Sequence, residues 1–500
     1  MNLSTIRLTM LISFFLVLMA SQISAQTPTP LEKLPYSGSL LAARAMAAGK
    51  LQPKQANVTA NGADLTCSPG PCVFPTSTAS LGGNVFPVNT TPIVLPPLSK
   101  TTLLTGANDY NCPNLQGFYM STNTGISWNH SCMNAAPGGV GIGSPSVAID
   151  THGTAYASGI DELSTGSTEV VVQKSTNNGA SWGSATVAVA PLFSGGIVDK
   201  EWLQVDPNNS SPFLNCLYIS STQFDTSNNS TITVAHSCNG GATWTNVQVD
   251  SLQTFPAVDQ FSDLAIGFGG TVYLSWMRCP GTGKAGDCGG TQATMLFSQS
   301  SDGGNTWSTP TVTARVRLVP DTCGAYFGCL PNSSEPLSNI PVIDTDNSTR
   351  EHRGYLYVAM YTYSATARQL QVQVVTSSNG GSTWGAPVKV SGTTINDQFL
   401  PWLTVNSVGK VGVSWLDRRN DTSNVSYQTF VTDCHNGGVS FGTNYQLTST
   451  LSNPNNDGFG GFFMGDYTGN FFQGPSLFTS WMDSSNGSIM QDVVGGFVVE

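Results

Sequence analysis

Pairs of short apolar runs recur along the chain, and a glycine-containing or polar turn joins the two members of each pair. Clear copies are SVAIDTHGTAYAS from residue 146, DLAIGFGGTVYLSW from 263 and PWLTVNSVGKVGVSW from 401. Each run has the length of a strand, and patterns of helical period are nearly absent. The pattern therefore predicts an all-β chain built from repeated antiparallel pairs of strands.

An eight-residue motif follows each strand pair. Its aspartate or asparagine can accept backbone N–H bonds, and its glycine supplies positive φ, so the motif predicts a tight turn between two further strands. Successive aromatic positions lie 54 to 77 residues apart, which suits one four-stranded unit per repeat. The copies are STNTGISW at 121–128, STNNGASW at 175–182, SCNGGATW at 237–244, SSDGGNTW at 300–307, SSNGGSTW at 377–384 and the weaker CHNGGVSF at 434–441.

These motifs resemble the Asp-box, or BNR, repeats, whose best-known carriers are the sialidases. Only Asp302 supplies the acid that names the box, and asparagine replaces it in the other copies. The resemblance covers roughly residues 90–500 and implies a β-propeller of four-stranded antiparallel blades. Counting units predicts seven blades, with six as the alternative, and we expect a strand from around Val85–Val94 to complete the last blade and close the ring.

The chain divides into three segments. Residues 1–25 carry Arg7 followed by a short apolar core and small residues, which predicts a secretory signal peptide. Residues 26–90 are rich in Pro and Thr and are interpreted as a lead-in or linker, and residues 91–500 as the propeller. We therefore expect a secreted protein, either extracellular or periplasmic.

Eleven cysteines agree with export, because ten of them fall into close pairs that predict disulfides and leave Cys434 over. No HExxH motif and no paired CxxC occurs, so we expect neither a metal nor another cofactor. The expected pairs are Cys67 with Cys72, Cys112 with Cys132, Cys216 with Cys238, Cys279 with Cys288, and Cys323 with Cys329.

Charge excludes two classes of partner. Nineteen basic against thirty acidic residues give a formal net charge of −11, the wrong sign for binding nucleic acid or anionic lipid. No apolar run is long enough to span a membrane. We expect a soluble monomer whose partner is a glycan or glycoconjugate, as the resemblance to sialidases implies.

Antiparallel order places the eight-residue turns on one face of the propeller. The opposite face, which we call face one, carries the connections from second to third strands and from fourth strands to the next blade, so we expect any site there. Carboxylates that break the repeat are the best candidates for glycosidic chemistry, which uses two acids or a Tyr nucleophile helped by one. They are Glu201, Asp263, Glu335 and Asp466.

Candidate substrate-binding residues are Arg278, Arg368, Arg418 and Tyr326. Arginine binds carboxylates through two hydrogen bonds, and Tyr326 shares one insertion with Glu335. Sialidases place the first of three such arginines in an Arg-Ile-Pro motif, which this sequence lacks. Two functions stay open: an exo-sialidase-like glycoside hydrolase that releases terminal sugars, and a non-catalytic secreted binding or adhesion propeller. Structural roles for the repeated acids and arginines, as turn caps or ion pairs between blades, are the simpler alternative.

Overall fold

The computed structural model describes residues 33–60, 73–95, 99, 101–284, 286–485 and 489–498. The predicted signal peptide and the predicted pair Cys67 and Cys72 lie outside these residues. The chain within them begins with one helix and three short strands ahead of the first blade. These are α1 (Gly38–Ala47), β1 (Ala56–Val58), β2 (Val73–Thr78) and β3 (Gly83–Val85).

Seven antiparallel blades follow, which confirms the predicted propeller and its preferred blade number. The first strand of each blade lies innermost, and the later strands follow outward. The strands are, by blade, β4 (Val88–Asn89), β5 (Ile93–Val94), β6 (Leu103–Asp109), β7 (Gln116–Ser121) and β8 (Asn129–Cys132); β9 (Gly139–Ile149), β10 (Ala155–Leu163), β11 (Thr168–Ser175) and β12 (Thr186–Val189); β13 (Ile197–Val205), β14 (Leu217–Phe224), β15 (Ser230–Ser237) and β16 (Thr245–Gln248); β17 (Val258–Ile266), β18 (Val272–Cys279), β19 (Gln292–Ser300) and β20 (Thr311–Arg317); β21 (Val342–Thr345), β22 (Leu356–Ser364), β23 (Gln369–Ser377) and β24 (Val388–Lys389); β25 (Gln398–Val405), β26 (Val411–Asp417), β27 (Gln428–Cys434) and β28 (Tyr445–Gln446); and, after a 3₁₀ turn at Pro454–Asn456, β29 (Gly469–Gln473), β30 (Ser476–Asp483) and β31 (Gln491–Val498).

The last blade is closed by a strand from the N-terminal part of the chain, but not by the one expected. Strand β2 pairs with β31 and supplies the outermost strand of the seventh blade. The segment Val85–Val94 instead contributes β4 and β5, which both pair with β6 inside the first blade. The prediction that a strand from the N-terminal part closes the ring is therefore confirmed, but the predicted segment is wrong. Strand β2 and the segment Val85–Val94 are both short, and only their long-range pairing distinguishes them.

The six eight-residue turns connect the third and fourth strands of six blades and share one hydrogen-bond pattern. In the turn at 300–307, the Ser300 hydroxyl donates to Asp302 at 2.8 Å and accepts from the Gly304 amide at 2.9 Å. Asp302 also accepts from the Thr306 amide at 2.9 Å. The asparagine-containing copies make the same bonds, as Asn379 does with Ser377 and Thr383.

Four disulfides lie in the described part of the chain, and they are the predicted pairs Cys112–Cys132, Cys216–Cys238, Cys279–Cys288 and Cys323–Cys329. Cys434 is buried and free. Its thiol replaces the serine of the sixth turn, since Sγ donates to Asn436 at 2.9 Å and accepts from the Gly438 amide at 3.2 Å. Among the described residues, no helix has the length and apolar character needed to cross a bilayer.

Residues 33–51, assigned from the sequence to a lead-in or linker, pack closely against face one. Lys33 pairs with Asp287 at 2.5 Å and with Asp321 at 2.7 Å, and both acids lie in face-one connections. Helix α1 buries its first six residues, including Leu40 and Leu41, in the same hydrophobic core as the blades. This segment therefore belongs to the folded domain rather than to a linker.

Candidate functional site

A group of charged residues lies at the propeller axis, on the innermost strand of the third blade. Strand β13 slips register between Asp199 and Trp202, and Lys200 takes a left-handed φ of 45°. Such a bulge re-aims side chains at the cost of backbone strain. Asp199, Lys200 and Glu201 are all fully buried. The bulge thus brings three consecutive charged residues into the centre of the molecule.

Lys200 is the one cation of this group, and its electrostatic partners include Glu201, Asp263 and Asp466. Burial lowers the pKa of Lys200, and the surrounding carboxylates oppose that shift. Burial also raises the pKa of Glu201, while Lys200 opposes the rise. The pKa of Asp263 is raised to about 7, again by burial. Three of the four predicted catalytic acids therefore interact electrostatically with one lysine, whose ammonium group donates to the Glu201 backbone carbonyl at 3.3 Å.

Two oxygen atoms of this group have no hydrogen-bond partner among the described residues. Glu201 Oε1 accepts from Ser158 at 3.4 Å, whereas its Oε2 has no hydrogen bond of good geometry among the described residues, although the Ser144 hydroxyl lies near this carboxylate and lowers its pKa. Asp263 Oδ2 accepts from the Ile343 amide at 2.8 Å, and its Oδ1 is likewise unpartnered there. Buried polar atoms of this kind call for an explanation, such as a ligand, water or a functional proton.

Aromatic rings flank Lys200 on the axis. Its ammonium group lies 4.8 Å from the centre of the Trp202 ring and 4.6 Å from that of Tyr467, within cation–π distance. The Trp202 and Trp402 ring centres are 4.5 Å apart. On the side away from face one, these two indoles and Asp263 line a cavity of about 200 Å³.

On face one the same group is covered by the N-terminus of α1. Asp199 accepts from the Ser37 amide and the Ser37 hydroxyl, both at 2.6 Å. Asp466 accepts from the Gly38 amide at 2.8 Å, the Ser39 amide at 2.7 Å and the Ser39 hydroxyl at 2.6 Å. Two buried carboxylates are thereby satisfied by the partly positive end of a helix.

Glu335 and Tyr326 lie apart from the axial group and make separate contacts. Glu335 is fully buried, and its Oε2 accepts from the Met464 amide at 2.6 Å. Burial and then Asp457 raise the pKa of Glu335. The Tyr326 hydroxyl donates to the Pro256 carbonyl at 2.5 Å. The described hydrogen bonds do not join Tyr326 to Glu335 as a catalytic pair.

The three candidate arginines have different surroundings and do not form one anion clamp in the described contacts. Arg278 pairs with Asp259 at 2.7 Å and also contacts Asp250. Arg418 is fully buried, pairs with Asp397 at 3.3 Å and donates to the Pro331 carbonyl at 2.6 Å. Both of these arginines stabilise neighbouring segments.

Arg368 differs because its side chain is exposed and lines an open cavity of about 520 Å³ on face one. The cavity lies between the turn joining β22 to β23 and the insertion that carries Cys323–Cys329. Tyr363 is half-buried in its wall, and Asn332, Ser333 and Asn424 add amide and hydroxyl groups. It is the larger of the two cavities described here and the one closer to solvent.

Comparison with known proteins assigns the chain to no family. No protein-family model and no curated protein sequence matches the chain. Solved structures with a similar fold include an ulvan lyase of polysaccharide lyase family 25, at 11% identity and a TM-score of 0.49 over 89% of this chain and 96% of that one. Others are the Hadza microbial sialidase Hz136 (13%, TM-score 0.41, 80% and 73%) and a Penicillium chrysogenum α-L-arabinanase complexed with arabinobiose (13%, TM-score 0.45, 73% and 94%). At these values the similarity does not identify a ligand.

Sequence reasoning missed the roles of Asp199, Lys200 and Ser37–Ser39. Within the run Asp199-Lys200-Glu201, only Glu201 is among the residues predicted from the sequence. The signal of the run is three consecutive charges inside the segment IVDKEWLQV, whose other residues apart from Gln204 are apolar. Consecutive charged residues do not normally occupy a buried inner strand, so the run itself indicates a special position.

Proposed function

We propose that the protein is an exported, sialidase-like Asp-box propeller that binds glycans, and that the cavity around Arg368 is its binding site. The observation that supports this most is the chemistry of that cavity, which combines an exposed guanidinium group, a phenol ring and several amide and hydroxyl groups in about 520 Å³. Ligand sites are typically concave and of this volume, with a few convergent polar groups.

Each component suits a sugar ligand. A guanidinium group binds a carboxylate through two parallel hydrogen bonds, and the carboxylate is the distinguishing group of acidic sugars. Tyr363 offers an aromatic face together with a polar hydroxyl group. Asn332 and Asn424 supply amides of the kind that bond sugar hydroxyls. Arg368 also stands out in a chain of net charge −11 as an exposed cation in a concave site.

Export is supported by the four disulfides of the described residues, because disulfides form and persist in oxidising compartments. The N-terminal signal predicted from the sequence points the same way. The six turns support membership of the Asp-box class, since their asparagines reproduce the bonds of Asp302.

Hydrolysis at the axis is the second candidate function. Glu201 and Asp263 have raised pKa values, and each has an oxygen without a hydrogen-bond partner among the described residues; both are properties of catalytic acids. Against this function, helix α1 covers the face-one side of the group, and Glu335 and the three arginines lie elsewhere. The geometry therefore favours binding over turnover.

The test is a glycan array of acidic and neutral oligosaccharides probed with the chain from residue 26, followed by titration of the best ligand. Loss of one charge-assisted contact costs about 1.5–3 kcal/mol, so Arg368→Ala should weaken binding of an acidic glycan about tenfold to a hundredfold. Arg350→Ala is the matched control, because Arg350 is exposed on the opposite face. Absence of binding by the folded chain, or equal losses in both variants, would contradict the proposal.

A further inference from the structure

The contacts between Ser37–Ser39 and the axial carboxylates have the form of a ligand in a site. Three consecutive residues contribute three backbone N–H groups and two hydroxyl groups, and all five donate to Asp199 or Asp466. Side chains of the propeller complete the contact. The Gln260 amide donates to Asp199 at 2.8 Å and to the Pro35 carbonyl at 3.1 Å, and the Asn108 amide donates to the Ser39 hydroxyl at 3.0 Å.

On the side of this contact away from face one, the site contains buried polar groups that make no hydrogen bond with α1. Glu201 Oε2, Asp263 Oδ1 and Trp202 Nε1 are buried and have no hydrogen-bond partner among the described residues. Asp263 and Trp202 also line the 200 Å³ cavity on the axis. Polar groups therefore extend along the axis from face one to that cavity, and Ser37–Ser39 lie at their face-one end.

We infer that Ser37–Ser39 and α1 occupy, from within the chain, the face-one end of an axial binding site whose external ligand is a polyol, and that displacing α1 opens this site. Clustered hydroxyl groups of a sugar ring can donate to Asp199 and Asp466 as the serine hydroxyls and amides now do. The class of the external ligand rests on the proposed glycan function. The displacement of α1 does not rest on it.

Two features make the segment separable from the blades. Residues 47–50, directly after the buried part of α1, are exposed, so a cut there severs α1 from the propeller without breaking a strand. At its perimeter, the ion pair of Arg44 with Glu162 is partly exposed and contributes little. Lys33, which pairs with the buried Asp287 and with Asp321, holds the segment together with the axial contact and the apolar side of α1.

Gly38 provides a specific way to weaken the contact. A Cβ at this position would collide with the Phe463 ring and lie 2.8 Å from Asp466 Oδ1. Gly38→Ala in the full chain should therefore displace the N-terminus of α1. Gly183→Ala is the matched control, because a Cβ there lies at an ordinary 3.5 Å from the Lys174 carbonyl oxygen.

The experiment compares wild type, both variants and a full chain cut in place at a protease site that replaces residues 47–50. Amide exchange over residues 37–43 reports displacement, thermal melting reports folding, and calorimetric titration with glucose, galactose, arabinose and rhamnose reports binding. We expect faster exchange and at least tenfold tighter sugar binding in Gly38→Ala and in the cut chain, with a peptide of residues 33–50 competing. Gly183→Ala should behave as wild type.

Three results would overturn the inference. Unchanged exchange in both altered forms would show that α1 is not displaceable, and unfolding of the cut chain would make it a permanent part of the core. Faster exchange without any sugar binding would remove the polyol as the ligand. Glycan binding at Arg368 by the wild-type chain is measured independently, so its failure is distinguishable from each of these results.

Discussion

The ionisation of Asp263 should oppose folding at neutral pH, and Asp263→Asn should remove that cost. Asp263 is buried, only one of its oxygens accepts a hydrogen bond within the described residues, and its pKa is raised from 3.8 to about 7 mainly by burial. An asparagine can keep the bond from the Ile343 amide through its carbonyl oxygen. Its uncharged amide then occupies the place of the unpartnered oxygen.

The sign follows from proton binding. The folded pKa lies above the ordinary value, so the folded state retains the proton longer, and the cost of ionisation develops as the pH rises from about 4 to about 7. One pKa unit corresponds to about 1.36 kcal/mol, which gives a difference of roughly 2–3 kcal/mol between pH 5 and pH 8. Relative to wild type, Asp263→Asn should therefore gain about that much more stability at pH 8 than at pH 5.

The assay is reversible urea denaturation of both chains at the two pH values. Asp302→Asn is the control, since the pKa of Asp302 is lowered to about 2 by its hydrogen bonds with Thr306. Asp302 is ionised in both folded and unfolded states above pH 5, so its substitution should have the same effect at pH 5 and pH 8. Equal effects of Asp263→Asn at the two pH values, or a greater loss at pH 8, would refute the argument.

Two further substitutions test the structural roles assigned above. Cys434→Ser should change the free energy of unfolding by no more than about 1 kcal/mol, because serine makes the same two turn bonds in the other five copies. In the wild-type chain, a thiol reagent should label Cys434 only on unfolding, and rapid labelling would contradict its buried position. Arg418→Leu should lower the free energy of unfolding, measured by urea denaturation, by about 3–5 kcal/mol, because it leaves Asp397 buried without its cation. Adding Asp397→Asn should restore part of the loss. An unchanged midpoint for Arg418→Leu would contradict the ion pair.

The repeated part of the fold could be predicted from the sequence because each blade carries its own local signal. The turn at Asp302 and its relatives fixes the third and fourth strands, and the hairpins ahead of it fix the first two. Pairing of the closing strand had no such signal. Strand β2 meets β31 from the other end of the chain, so composition did not separate it from the segment Val85–Val94.

The candidate site was less predictable because its contacts join distant parts of the chain. Ser37 meets Asp199 across 162 positions, and Ser39 meets Asp466 across 427. Nothing near Ser37–Ser39 marks these residues as partners of the axis. The carboxylates that break the repeat make different contacts: Asp466 accepts hydrogen bonds from the N-terminus of α1, whereas Glu335 accepts one from the Met464 amide.

Repeated and unrepeated residues have different roles in a propeller. A repeated residue is needed once in every blade, and its role is therefore local to the blade. A residue that breaks the repeat contacts a feature that occurs only once in the fold. In this molecule, the N-terminal segment on the axis is such a feature. Asp199 and Asp466 are satisfied by that segment, while Glu201 Oε2 and Asp263 Oδ1 are not satisfied by any described residue. An external ligand or a functional proton is therefore stabilised more by Glu201 and Asp263 than by Asp199 and Asp466, whose oxygens already accept hydrogen bonds.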